Sequence, residues 1–312
     1  MTTILGAVDN VALCTAIGAL ACLMWILPRP LDDRHAPGAG QVWCLLGGCL
    51  ALLTLTSAAM LIQRAHVLSG QPYSALTPVL PQVLNYTHYG HVWLIRVATI
   101  LALWPIWWLG RGRTRRRPWA GAMSVIIAVT AFTRSATGHS ADHGDFTAHE
   151  IMDWLHIMVG SLWAGAVVAS ALTLFRAPRQ EAAAGGLSDI ALRLSQLATA
   201  ALVMVLATGL YNAVVQLNGL ASLWRTEYGR HLALKVSLVG VMLGLGAVNR
   251  FLYLWRLPGL ARGERPVPAG AGGTGMRRFV QVLYLEAWVA LGILISAAVL
   301  INTAPPHPSP SM

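Results

Sequence analysis

The chain has 312 residues, 56% of them hydrophobic and only 11% charged, with a mean hydropathy of +0.59. About a quarter of a soluble domain is charged, so composition excludes an ordinary water-soluble fold. A net charge of +10 would suggest nucleic acid in a soluble protein. Here the arginines sit in short loops between apolar spans, where they set orientation in lipid, and no nucleic-acid partner is expected.

Crossing a hydrocarbon core takes roughly 20 apolar residues, and the chain has room for about eight such spans. The first is Ile4–Leu27, stopped by Pro28 and Pro30 because proline lacks the backbone donor. Asp9 stands where a signal peptide would carry basic residues, so a retained helix is expected. The second span is Trp43–Ile62, followed by a loop, Gln63–Gly90, rich in Pro, Tyr and His. The third, His91–Leu109, holds Arg96, and the loop Arg111–Arg117 after it has five arginines. The fourth is Pro118–Thr137.

A polar stretch then leads into the fifth span, Ile151–Phe175. The sixth is Ile190–Gln216, the seventh His231–Trp255 and the eighth Phe279–Ile301. The loop Arg256–Arg278 reads as a flexible Gly/Pro linker, and residues 303–312 as a disordered tail. The expected fold is therefore all-α, a polytopic membrane bundle of about eight helices over residues 1–302, surrounded by lipid. Arginine-rich loops 28–40, 110–118, 176–188 and 256–278 alternate with the others, which puts both termini outside the cytoplasm. Trp25, Trp43, Trp107, Trp108, Trp119 and Trp255 fall near the cytoplasmic ends, as an interfacial belt should.

One motif recurs. Thr87-His88-Tyr89-Gly90 leads to Arg96, and Thr226-Glu227-Tyr228-Gly229 leads to Lys235, the only lysine. Copies four spans apart share orientation, so they suggest parallel halves, 1–137 and 149–302.

The chemistry concentrates between Gly138 and Gly165, which hold His139, His143, His149 and His156 with Asp142, Asp145, Glu150 and Asp153. At about 100° per residue, His149, Met152, Asp153, His156, Gly160 and Trp163 share one helix face. Imidazole with carboxylate suits Cu(II) or Zn(II), and Met152 adds a soft ligand for Cu(I). The expected metal site is His139, His143, His149, Asp153 and His156, with His88 and His91 completing it. His66 and His231 fall on the same outer side, and His35 and His307 do not. Arg96 and Lys235 lie ~9 Å inside their helices, either reaching the headgroups or countering Asp9 and Asp153. Glu286 and Arg250 suggest a pair, or a proton-coupling carboxylate. Cys14, Cys22, Cys44 and Cys49 read as packing residues, with Cys22 and Cys49 at comparable depth for a soft Cu(I) exit. No P-loop, G-x-S-x-G or H-E-x-x-H is present, so neither hydrolysis nor nucleotide-driven pumping is supported.

These residues together carry a resemblance. Gly138-His139, Asp153–His156 and Trp163-x-Gly165 are similar to the membrane domain of the CopD copper-resistance family. So are Thr226-x-Tyr228-Gly229 with Lys235, Gly246–Asn249 with Arg250, and Glu286 in a last span ending near Pro305. His143 and His149 are additions to that pattern, and Ala166 stands where a second glycine is frequent. The resemblance implies a multi-pass protein of the bacterial inner membrane, not an enzyme, linked to copper uptake or resistance. A separate periplasmic copper-binding protein is the partner it implies.

The reading from residues and resemblance is copper transport, loaded from the periplasmic side. Two others stay open at this point. One is a haem-b oxidoreductase, with His88 or His91 and His156 as axial ligands. The other is a scaffold that delivers copper without transporting it.

Overall fold

The computed structural model describes residues 2–27, 38–111, 117–138, 144, 146–175, 184–217, 219, 221–254 and 271–303. Helix α1 (Thr2–Ala21) runs on through a π-helical turn (Cys22–Ile26), and α2 (Ala39–Ser69) follows. A 3-10 turn (Tyr73–Ala75) and α3 (Leu80–Tyr86) lead to α4 (His88–Gly110) and α5 (Arg117–Ser135). Next, α6 (Ala148–Gly160), a π turn (Ser161–Gly165) and α7 (Ala166–Thr173) form one continuous span. Then come α8 (Ala184–Gln216), the single turn α9 (Ser222–Arg225) and α10 (Glu227–Val248), which also ends in a π turn (Asn249–Tyr253). The last is α11 (Ala271–Ile301). Among the described residues there is no strand.

Seven of the described helical stretches are long and apolar enough to cross a membrane. The expected fourth span is present as α5, but at 19 residues with Arg117 and Arg134 it falls outside that group. Its polar residues explain the difference: Thr130, Thr133 and Ser135 are buried in the bundle, where they hydrogen-bond Thr99, Arg96 and Asp153 instead of meeting lipid.

The loop expected at Gln63–Gly90 is mostly helical. Helix α2 continues to Ser69 and stops at Gly70, whose φ of 66° gives the left-handed cap. Pro81 sits in the first turn of α3, where its missing N–H costs nothing. Proline there marks a helix start, not a loop.

Helix α1 is the hub of the bundle. It packs against α2, α5, the α6–α7 span and α11. Gly18 and Gly165 set the central crossing. A Cβ on Gly18 would fall 2.0 Å from the Gly165 carbonyl carbon, and one on Gly165 would fall 2.0 Å from the Cys14 carbonyl oxygen. Small residues let membrane helices approach this closely, where dispersion replaces the hydrophobic effect. Ala166 is fully buried at the same crossing, so the alanine is accommodated there.

Tryptophan has two roles at the ends expected to be cytoplasmic. Trp25 and Trp108 are exposed, as a belt requires. Trp43 is 2% exposed and exchanges indole-to-carbonyl hydrogen bonds with Trp107 (3.2 and 2.9 Å), tying α2 to α4. Trp255 lies outside the described residues, as do most of the arginine-rich loops, His35 and His307.

Candidate functional site

The site is built on the first two turns of α6. Thr147 caps the helix by accepting from the Glu150 N–H (3.3 Å), and the Glu150 carboxylate accepts from the Phe146 N–H. This T-x-x-E box fixes where the helix starts. The polar residues that follow therefore face inward against α5 and α8.

His149 is buried, with its ring 6.3 Å from the Tyr211 ring of α8. Asp153 accepts from Ser135 of α5 (3.0 Å) and from Asn212 of α8 (3.3 Å). His156 places Nδ1 3.0 Å from the Thr208 hydroxyl, also on α8. The Thr208 hydroxyl donates to the Met204 carbonyl at 2.8 Å. Nδ1 of His156 is therefore the donor to Thr208, and Nε2 keeps its lone pair. Gly209 makes room for that ring, since a Cβ there would sit 3.1 Å from its Cε1. On the opposite face, Trp154 donates to the Ala128 carbonyl (3.0 Å) and anchors α6 to α5.

Lys235 of α10 lies within the field of Asp153, and His156 lies within the field of Lys235. The one lysine thus belongs to the α6 seam. Arg96 belongs elsewhere. It donates to Asp9 at 2.6 Å, to Ser57 at 3.0 Å and to Thr133 at 3.3 Å. Asp9 is fully buried, accepts from Thr56 at 2.8 Å and pairs with Arg134 at 3.5 Å. Three successive residues of α5 therefore serve two polar centres. Thr133 contacts Arg96, Arg134 contacts Asp9, and Ser135 contacts Asp153.

The structure separates several residues that the sequence grouped. Among the described residues no three His, Cys, Asp or Glu side chains come close enough to hold one metal ion. His149, Asp153 and His156 do share a face, but seven residues of helix span about 10 Å. Ligands of one ion sit about 2 Å from it. His88 and His91 are exposed at the start of α4, their Nε2 atoms 3.1 Å from the carbonyls of Ala136 and Asn85. Helix α5 packs against both α4 and α6. His139 and His143 lie outside the described residues, as do Asp142 and Asp145. His66 stacks on Tyr73 at 4.4 Å, and His231 lies 3.8 Å from Glu227.

Glu286 is also partnered differently from expectation. It accepts from Asn249 at 3.1 Å, while Arg250 donates to Ser195 and Thr199 of α8 at 3.0 and 2.8 Å. The π turn rotates Asn249, not Arg250, toward α11. Cys22 pairs with Ser170 at 3.5 Å, and the thiol in electrostatic reach of Cys49 is Cys14.

Ser135, Thr208 and Asn212 are the residues that sequence reasoning missed. Thr208 and Asn212 lie one turn apart in an otherwise apolar stretch of α8, and that i, i+4 polar pair was the available signal.

Comparisons with known proteins agree along most of the chain. The family described as Copper resistance protein D matches residues 188–300, and Copper resistance protein D-like, N-terminal domain, matches residues 1–150. The Bacillus subtilis Copper transport protein CutJ is 30% identical over 271 residues, covering 85% of this chain. The chain spans about half of that relative, 47% of its length. The Pseudomonas syringae pv. tomato Copper resistance protein D is 28% identical over 224 residues, covering 67% of this chain and 68% of the relative. No solved structure matches.

Proposed function

The chain belongs to the CopD copper-resistance family, multi-pass proteins of the bacterial inner membrane, and from that premise we propose that it carries copper ions along the α6–α8 seam. The observation that supports this most is His156. Its Nδ1–H is held by Thr208, which leaves Nε2 as a ready ligand in a half-buried position. Second-shell partners of this kind fix the tautomer and orientation of metal-binding histidines.

His149 and Asp153 precede it on the same face, so a copper ion would pass from one to the next instead of sitting in one cluster. Imidazole and carboxylate along this line suit Cu(II), and Met152 on the same face adds a soft donor for Cu(I). His139 and His143 of the preceding segment would load the ion. The positive-inside pattern makes that end periplasmic and both termini non-cytoplasmic. A separate periplasmic copper-binding protein would supply the ion. Lys235 and Asp153 would adjust the seam's charge as the cation moves, and Glu286 would serve as a protonatable group nearer the inner face. Nothing in the seam resembles a catalytic constellation, so the proposal is binding and transport, not catalysis.

Copper uptake into proteoliposomes, with metal analysis of wild type and His156→Ala, tests this. Wild type should accumulate copper, and the variant should lose most of the flux. Binding without flux would favour a delivery scaffold, and a Soret band after haem supplementation would favour the oxidoreductase. Wild-type flux in His156→Ala would refute the seam.

A further inference from the structure

A second polar feature lies outside the seam. A cavity of about 470 Å³ opens between α1, α2, α4, α5 and the end of α11. Arg64, Arg96 and Arg134 line it together with Gln63, Tyr89 and Asn302. None of its described lining residues is a carboxylate. Asp9 lies behind the wall, fully buried, and two of the three guanidiniums share it.

The donors do not balance either. A guanidinium offers five N–H groups. Arg96 directs donors to Ser57, Thr133 and Asp9. Arg134 reaches Asn10 at 2.9 Å and Asp9. Arg64 has its guanidinium carbon 5.2 Å from the Tyr89 ring centroid and no acidic partner among the described residues. Three cations around one buried anion leave an excess of positive charge facing a water-sized to solute-sized space. Planar guanidiniums match the geometry of carboxylate and phosphate oxygens, which accept two parallel bonds from one fork.

We propose that this cavity is a binding site for an oxyanion of the phosphate or carboxylate class, held by Arg64 at the mouth and by Arg96 and Arg134 at the base. The oxyanion reaches it either as a free solute or as a lipid headgroup. The site does not depend on the copper reading.

Thermal unfolding of the purified protein in neutral detergent tests this. Titrations with inorganic phosphate and with dioctanoyl phosphatidylglycerol are compared with chloride at equal ionic strength. A ligand that binds only the folded state raises the unfolding temperature saturably. A response to phosphate marks a solute site, and a response to the lipid alone marks a headgroup site; both support the proposal. Arg64→Gln should unfold at the wild-type temperature without anion and bind about tenfold more weakly. Arg64→Lys, which keeps the charge but not the fork, should fall between them. No saturable effect beyond chloride, or an Arg64→Gln titration matching wild type, overturns it.

Discussion

At the scale of single residues, His156 shows how local chemistry prepares a ligand. Thr208 spends its proton on Met204 and its lone pair on the His156 ring. Thr208→Val keeps the shape of the side chain and removes that lone pair, leaving a half-buried N–H without its acceptor. Such a loss costs about 1–3 kcal/mol. If His156 binds copper, the variant should also lose roughly 10- to 100-fold in copper affinity, as second-shell substitutions do. Competition with a chromophoric chelator reads the affinity, and a melt reads the stability. Unchanged affinity would separate His156 from copper. The sequence revealed the ligand types and the face they share, because a helix's angular period depends only on spacing. It did not reveal Ser135, Thr208 or Asn212, which come from 18, 52 and 59 residues away. For His149, Asp153 and His156 a shared face is also not convergence, because one face of a helix is a line of positions about 10 Å long here.

At the scale of elements, the repeated T-x-Y-G motif has a structural cause. Thr87 caps α4 and Thr226 caps α10, each accepting from a glycine N–H at 3.0 Å, Gly90 and Gly229. Each threonine also donates to a carbonyl of the short helix before it, at 2.6 Å to Val83 and 2.7 Å to Ser222. A Cβ on either glycine would fall 2.1 Å from that same carbonyl oxygen, Val83 or Ser222. The motif is thus a corner that folds a short helix back on a span. The sequence showed the repeated motif but neither the corner it makes nor the helix before it, since prolines and tyrosines disguised α3. The α1–α7 crossing is equally demanding. Gly165→Val would drive a branched side chain into the Cys14 carbonyl, 2.0 Å from the new Cβ. Overpacking of this kind costs typically 1–3 kcal/mol and more against backbone. The variant should melt well below wild type in detergent, whereas Gly160→Ala, where a Cβ meets nothing within 4 Å, should not.

At the scale of the whole molecule, the corners belong to a larger pattern. Helix α1 packs on α2 as α6 packs on α8, α4 on α5 as α10 on α11, and α1 on α11 as α6 on α5. We propose that the bundle is two parallel halves, 1–137 and 149–302, related about an axis through the α1–α7 crossing. In each half a carboxylate of the first span meets a cation six residues past the corner glycine: Asp9 meets Arg96, and Asp153 lies in the field of Lys235. The halves have diverged in how tightly that charge is held. Asp9 carries two guanidiniums and a threonine in full burial. Asp153 accepts from two neutral donors, Ser135 and Asn212, and is half-buried. Their neutral variants should therefore fail in opposite ways. Asp9→Asn strands the buried Arg96 and removes the acid partner of the partly buried Arg134, and breaking a buried ion pair costs about 3–5 kcal/mol, so the melting temperature should drop steeply. Asp153→Asn keeps an acceptor for Asn212, and its amide can donate to Ser135, whose hydroxyl also reaches the Glu150 carbonyl, so stability should fall little. Copper flux should respond the other way, surviving per folded molecule in Asp9→Asn and collapsing in Asp153→Asn. Melting curves and proteoliposome uptake on the two proteins decide it: equal losses in both assays would mean that the two carboxylates do the same job, and the division of labour between the halves would fall.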